Sequence, residues 1–577
     1  MKKWLEKLRL LACSRLAWVL VGVLVIHIVG IGWGLPATDG WDDDGVAPRD
    51  FLFGVAETFT PGHFYTYPPL HLIVLAILTS PGWIAGLIRA PSFSPHDVVS
   101  EFLSVPYMTA FALVGRTVAV AMSLGVVYAF AKVAEELRGR RAGLAVAVVV
   151  GLNAPFAYYS HTSNLEVPYC FWASLSLLYL VRAMVHERPA ELRWVALCAA
   201  LAAATKDQAA ALFVLGVPAT LALWFALDPW PRANARAVCK EAGIALALGL
   251  GALLAIDGIV VNPAGFVARV GFLLGSASQD HASYAKSFTG RLNVTVDSIH
   301  MFSHFYPAPF GLLALGGLGV AMATGSRAKR VAGAAPILFA LSSFGLFNLL
   351  ARRTDERFLL PQMLILGLYI GLGLEAAALT TPRPFARALG ALALPLLAWA
   401  LYKCAAVDVA LLYDTRYDAE AWLAAHVEPG DALEVYGNQV YLPRLPAWAR
   451  TLRVDQRPVD KRNPLVGAAE VVDRYDNVEQ RRPRWIVLAE STIWMYLVDE
   501  TDYERGGRVM TPGQQAAQRD DATRSYFRDL VAGRRGYALA HVSEWTSTFW
   551  PRVQIHGSTG QTIRILERVA REKPGSP

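Results

Sequence analysis

The sequence predicts a polytopic α-helical membrane protein of about eleven to twelve spans, followed by a small α/β domain. Three observations predict it. Of the 577 residues 54% are hydrophobic and only 18% charged, against about 25% charged in a soluble domain. Apolar runs long enough to cross about 30 Å of hydrocarbon recur along the first two thirds of the chain. After Val407 the pattern changes to polar helical stretches alternating with short β-type runs.

In chain order, the start MKKWLEKLRLLACSR is basic and leads into an apolar run without a small-residue cleavage site, which reads as an uncleaved anchor with a cytoplasmic N-terminus. Apolar runs follow at 16–35, 108–132, 141–158, 165–185, 192–206, 209–227, 239–260, 306–324, 331–350, 358–378 and 386–407, with 69–89 as a further candidate. Basic stretches at Lys132–Arg141, Arg182–Arg193, Arg232–Lys240, Arg327–Arg330 and Arg383–Arg387 are expected on the cytoplasmic side. Sidedness then puts 36–68, Ser160–Glu166, Lys206–Asp207, the long loop 262–305, Arg352–Arg357 and everything after Asp408 outside. With Lys132–Arg141 inside, 69–89 cannot be a simple crossing, and a re-entrant or interfacial segment is expected there. Breaks are expected at Gly151–Pro155, Lys206 and Pro218. Irregular backbone at membrane depth is tolerated only where protein or water lines it, so a cavity is expected that opens outward.

The expected domains are a transmembrane module over 1–407, a soluble extracytoplasmic α/β domain over 408–570, and a disordered tail over 571–577. In that domain Asp418–His426 and Gln514–Val531 read as helices. Ala432–Tyr436, Trp485–Ala489, Ala538–Val542 and Ile563–Leu566 read as strands. The predicted location is the inner (plasma) membrane, multi-pass, with the C-terminal domain periplasmic. The net charge of +7 sits in short loops between apolar runs, a topology signal rather than a nucleic-acid surface. The five cysteines show no CxxC spacing, which excludes a sequence-legible zinc site or disulfide framework.

Candidate chemistry lies in the outward loops. Asp42, Asp43 and Asp44 follow the first apolar run. They can form a helix N-terminal charge cluster or supply a general base. Glu166 opens an apolar run beside His161, as an interfacial anchor or a second acid. Lys206 interrupts apolar sequence on both sides, where a charge is costly unless paired; it can pair with Asp207 or another carboxylate, or meet a phosphate. Arg352, Arg353 and Arg357 stand where the positive-inside rule disfavours arginine. They can pair with Asp355 and Glu356, or their guanidinium forks can take phosphate oxygens. His281, His300 and His304 in the long loop match no zinc signature.

These pieces resemble a known family. The acidic loop Gly40–Arg49 followed by Phe64-Tyr-Thr-Tyr-Pro-Pro-Leu70 resembles the first external loop of type C (GT-C) glycosyltransferases, in particular the protein O-mannosyltransferase-like and aminoarabinose-transferase-like families (glycosyltransferase family 39 and relatives). Ser160–Trp172 (SHTSNLEVPYCFW) resembles their second acidic loop, with Glu166 in place of Asp. Ala-Thr-Lys206 resembles their Thr-Lys-Tyr run, with Asp207 replacing the aromatic. Arg357-Phe-Leu-Leu-Pro361 resembles their Arg-Tyr-Leu-Leu-Pro. The resemblance covers residues 16–407.

It implies a polyprenyl-phosphate-linked sugar donor, membrane lipid around the site and inverting transfer on the outer face, to an acceptor lipid, protein or glycan. It implies Asp43 or Asp44 as base and Glu166 as a second acid, with spacing to Arg49 favouring Asp43. Lys206, Arg357 and Arg353 would hold the donor phosphate, and His161, Tyr67 and His281 would touch substrate. No cofactor is required, no metal ligands are assigned, and a divalent cation is left open. The competing class is a transporter or flippase of a lipid-linked or anionic substrate, which would also need a polar cavity.

Overall fold

The structure is a computed structural model that describes residues 14–380, 383–458, 465, 467–499, 501–502, 507–555, 557 and 559–569. The basic start and the tail 571–577 lie outside the described residues. The chain separates into two compact units. One comprises 1–31, 44–279 and 286–407; the other comprises 32–43, 280–285 and 408–577.

The first unit is helical. Among the described residues eight helices are long and apolar enough to cross a membrane, or ten when each of two sharply bent pairs counts as one span. The protein is therefore a multi-pass membrane protein. The runs expected at 16–35 and 192–206 form helices of only 14 and 12 residues, Arg15–Ile28 and Leu192–Ala203. Both fall short of the roughly 20 residues that span the hydrocarbon core. Apolar content alone does not reveal where such helices stop.

The breaks are where polar or constrained residues put them. Arg140–Gly151 meets Ala154–Ser160 at 71°, at Asn153, whose side chain caps the second piece by accepting from the Phe156 N–H at 3.0 Å. Lys206 has extended backbone between Leu192–Ala203 and Ala210–Leu227. Pro218 does not interrupt the latter helix.

Leu70–Arg89 corrects one expectation. It is an unbroken 20-residue helix with Pro81 inside it, so it is not a re-entrant hairpin, which would need a turn near its midpoint. A reporter fused at Ser94 distinguishes the two remaining placements. An extracytoplasmic reporter is the expected result, with the helix lying along the interface; a cytoplasmic reporter would establish a crossing.

Close backbone approach fixes the helix that carries Arg357. A Cβ on Gly317 would lie 1.8 Å from the Tyr369 carbonyl oxygen, and one on Gly373 would lie 2.2 Å from that of Leu313. Helices Phe310–Ala323 and Glu356–Thr380 therefore touch through glycine, as small residues permit in membranes.

The second unit is built on a six-stranded sheet. Its strands are β1 (Ala432–Tyr436), β2 (Arg450–Asp455), β3 (Ala468–Val472), β4 (Trp485–Ala489), β5 (Tyr537–Ser543) and β6 (Ile563–Arg568). The order is β3-β2-β1-β4-β6-β5. β3, β2, β1 and β4 are parallel, whereas β6 runs antiparallel to both β4 and β5. β4 is buried at every residue, as expected of a parallel strand covered on both faces. The four expected strands form. β2 and β3 carry charged residues (RTLRVD, AAEVV) that mask their apolar alternation. The helical stretch expected at Gln514–Val531 is two helices, Pro512–Arg519 and Asp521–Val531, divided where Asp520 caps the second by accepting from the Thr523 N–H.

Candidate active site

Backbone hydrogen bonds draw the acid- and cation-bearing loops of the first unit together. The Val46 N–H donates to the Ser163 carbonyl at 3.2 Å, and the Leu70 N–H donates to the Ala204 carbonyl at 3.0 Å. The loop that begins with Asp44 is thus stitched both to the Glu166 loop and to the Lys206 turn. Between these bonds, the amphipathic helix Asp50–Phe59 buries Phe51 against Leu72, Phe111 and Leu165.

Asn262 ties the long loop to the same structure. Its amide donates to the carbonyls of Thr58 at 3.2 Å and His63 at 2.8 Å, and accepts from the N–H groups of Gly62 and Gly265. The residue is fully buried. Asn262→Ala leaves these backbone groups without their partner, at about 1–3 kcal/mol for an orphaned buried group. A lowered unfolding temperature in detergent is the expected readout.

Two ion pairs dominate the electrostatics. Lys206 Nζ donates to Glu166 Oε1. Glu166 has no exposed surface, and its other carboxylate oxygen is buried without a hydrogen-bond partner among the described residues. Arg357 Nη1 donates to Asp44 Oδ2. Tyr67 lies in the field of both carboxylates. Burial raises its hydroxyl well above the ordinary phenol range, and Asp44 and Glu166 add to the rise. Tyr67 therefore stays a protonated donor. The Phe358 ring lies beneath two guanidinium groups, Arg353 at 4.4 Å and Arg357 at 4.5 Å from its centroid. Arg353 also reaches Asp355 at 3.4 Å.

The cations line one cavity of about 480 Å³. Its polar lining includes Tyr67, Lys206, Asp207, Gln208, Arg353 and Arg357. Its apolar lining includes Phe272, Leu274, Leu346, Phe347 and Leu350. Asp44 and Glu166 pair with two of the lining cations. The arrangement can hold an anionic headgroup together with hydrocarbon. It also places two carboxylates within one bond of the groups that would take the anion.

The remaining expected site residues lie elsewhere. Asp43 accepts from the Tyr441 hydroxyl at 2.5 Å, within the second unit. Asp42 is buried. His161 is fully buried, its Nδ1 2.7 Å from the Ala157 carbonyl, and it does not line the cavity. Burial at this loop position lowers its pKa to about 4. His281 is exposed in 280–285, which groups with the second unit. His304 pairs with Glu356 at 2.9 Å. Among the described residues no group of three or more His, Cys, Asp or Glu is placed to hold a metal ion.

A third charged cluster escaped sequence reasoning. Arg269 is fully buried, and its Nη1 donates to Asp207 at 3.0 Å and its Nη2 to Asp257 at 2.7 Å. Its guanidinium lies 4.7 Å from the Tyr65 ring centroid. Burial pushes Asp257 up to about 7 against the pull of Arg269, and the neighbouring Asp207 adds to the rise. Arg269 engages the acid beside Lys206, and Lys206 pairs with Glu166 instead. The signal was a lone arginine in the apolar stretch FVARVGF, which is costly unless paired.

No protein-family model and no curated protein matches the chain. Among solved structures it is similar to the glycosyltransferase ArnT from Cupriavidus metallidurans bound to undecaprenyl phosphate, at 15% identity over 96% of this chain and 98% of that one, with a TM-score of 0.47. The apo form of the same enzyme gives 16% identity over 83% and 93% of the two chains, with a TM-score of 0.46. The chain is also similar to the oligosaccharyltransferase AglB from Archaeoglobus fulgidus in complex with an inhibitory peptide and a dolichol-phosphate. That match has 12% identity over 74% of this chain and 62% of that one, with a TM-score of 0.40. Both are GT-C glycosyltransferases.

Proposed function

We propose that the chain is an integral-membrane glycosyltransferase that moves a sugar from a polyprenyl-phosphate donor to an acceptor on the extracytoplasmic face, with inversion. The observation that carries this reading is the pairing of Lys206 with Glu166 and of Arg357 with Asp44 at a cavity lined by both cations and apolar side chains. The donor's phosphate meets Lys206, Arg357 and Arg353, and its first isoprene units lie along Leu346, Phe347 and Leu350.

The ion pairs give the mechanism an order. A carboxylate held by a cation is a weak base, because the cation stabilises its charged form. When the donor phosphate takes up Lys206 and Arg357, it competes for the cations that hold Glu166 and Asp44. Asp44 then takes the proton from an acceptor hydroxyl or amine. The acceptor atom forms a bond to the anomeric carbon from the face opposite the phosphate. The anomeric carbon–oxygen bond breaks, and its electron pair leaves on the lipid phosphate, where Lys206 and Arg357 stabilise the developing charge. Tyr67 donates a hydrogen bond in the same place.

The test is transfer of label from radioactive polyprenyl-phosphate sugars in membranes containing the protein. Label in a new lipid, protein or glycan product supports the reading. Movement of intact donor across the bilayer without product would assign the cavity to a transporter instead.

A further inference from the structure

A second feature lies in the C-terminal unit and is independent of the transferase reading. The last turn of helix Arg383–Leu412 belongs to that unit from Asp408 onward. The helix is a candidate span that continues as one apolar element from Ala391. Beside its end is a groove of about 750 Å³, lined by Val409, Tyr413, Val542, Trp545 and Trp550. Residues 544–550, which follow edge strand β5, form one wall. This loop is held in shape from within: the Trp545 indole N–H donates to the Trp550 carbonyl at 2.9 Å, and the Trp550 N–H donates to the Ser547 hydroxyl at 2.9 Å. Its tip carries Phe549, 68% exposed and packed edge-on against Trp550 at 4.9 Å. Tyr413, across the groove, is 71% exposed.

Trp545 and Trp550 are half-buried, whereas Tyr413 and Phe549 beside them are exposed, and a soluble surface rarely leaves such a cluster in water. Aromatic rings that are apolar in body and polar at one edge concentrate where a membrane span leaves the hydrocarbon. Tyr413 directly follows the end of helix Arg383–Leu412, which lies within a candidate span. The groove places Trp545 and Trp550 beside that end, and Phe549 adjoins them. Helix Thr415–His426 fixes the level of the loop: its Asp418 accepts from the His541 ring at 2.8 Å and from the Ser543 hydroxyl at 2.7 Å, at the end of β5.

We propose that the loop 544–550 is a membrane-surface contact, in which Phe549 and the neighbouring indoles rest in the lipid headgroup layer where helix Arg383–Leu412 emerges. Three acids, Asp414, Asp418 and Glu544, line the same groove. They oppose an anionic headgroup and suit the ammonium of a zwitterionic one.

The test uses the full chain in nanodiscs of phosphatidylethanolamine and phosphatidylcholine containing a headgroup-nitroxide lipid. A fluorescent non-natural amino acid is placed at position 549, 413 or 472 in turn. Val472, 59% exposed, lies on β3 at the opposite edge of the sheet and serves as the control. The expected result is loss of emission at 549 comparable with that at 413 and several-fold greater than at 472. Equal quenching at 549 and 472 would overturn the proposal. So would an emission change at 549 produced by soluble oligosaccharides without quenching by the nitroxide lipid, which would make the groove a sugar platform.

Discussion

Asp44→Asn is expected to lower sugar transfer by about 10²–10⁴-fold, the range of a general base, with the protein still folded. Asp43→Asn is expected to leave transfer near the wild-type rate. The contrast separates neighbours that sequence spacing ranked the other way. Asp43 is engaged by Tyr441 in the C-terminal unit, whereas Asp44 is held by Arg357 at the cavity. Asn keeps the size of Asp and can still accept from Arg357, so little stability is lost. Initial rates with a saturating polyprenyl-phosphate sugar measure the effect as kcat. Full activity in Asp44→Asn, or a loss confined to Asp43→Asn, would move the base to the other residue.

The second large effect belongs to Lys206. Lys206→Met removes the partner of a carboxylate with no exposed surface. Breaking a buried pair from one side costs about 3–5 kcal/mol, because the remaining charge is left uncompensated. Lys206→Met is therefore expected to unfold at a clearly lower temperature and to bind donor poorly. In the double variant Lys206→Met with Glu166→Gln, the stranded charge is gone and thermal stability returns. Donor affinity is expected not to return, since the cation proposed to meet the phosphate is still missing. Thermal melts and donor KM, read together on both variants, separate a structural lysine from a phosphate-binding one. Recovery of both in the double variant would count against phosphate contact.

The broad architecture was legible because it follows from composition. Long apolar runs have few ways to satisfy their backbone in lipid, and the shift after Val407 marks where the chain passes into the second unit. What could not be read was where each helix stops. Leu192–Ala203 ends at the expected break before Lys206, whereas Arg15–Ile28 ends within an apolar run, so its length depends on packing rather than on pattern. β2 and β3 were hidden for the opposite reason. Arg453 is fully buried on β2 because Glu470 on β3 reaches it at 2.7 Å, a pairing that no single strand announces.

In the site, sequence singled out Glu166, Lys206, Arg357 and the Asp triplet, each because a charge at a membrane edge requires a partner. The partners themselves lie 40 and 313 positions apart in the chain and became assignable only in three dimensions. Asn262 and Arg269 show the limit of such reading. An Asn before Pro reads as a helix cap, and only the fold reveals that its amide also holds the Gly62 and His63 backbone.

The proposed donor placement has a kinetic consequence. A donor whose phosphate sits among Lys206 and Arg357 while its tail lies along Leu346 and Leu350 never passes through bulk water. It arrives by lateral diffusion in the leaflet. The concentration that governs its capture is then its mole fraction among the surrounding lipids, not its amount per volume of solution. Adding inert phospholipid at constant donor and protein should slow the reaction by surface dilution, whereas changing the aqueous volume should leave it unaltered.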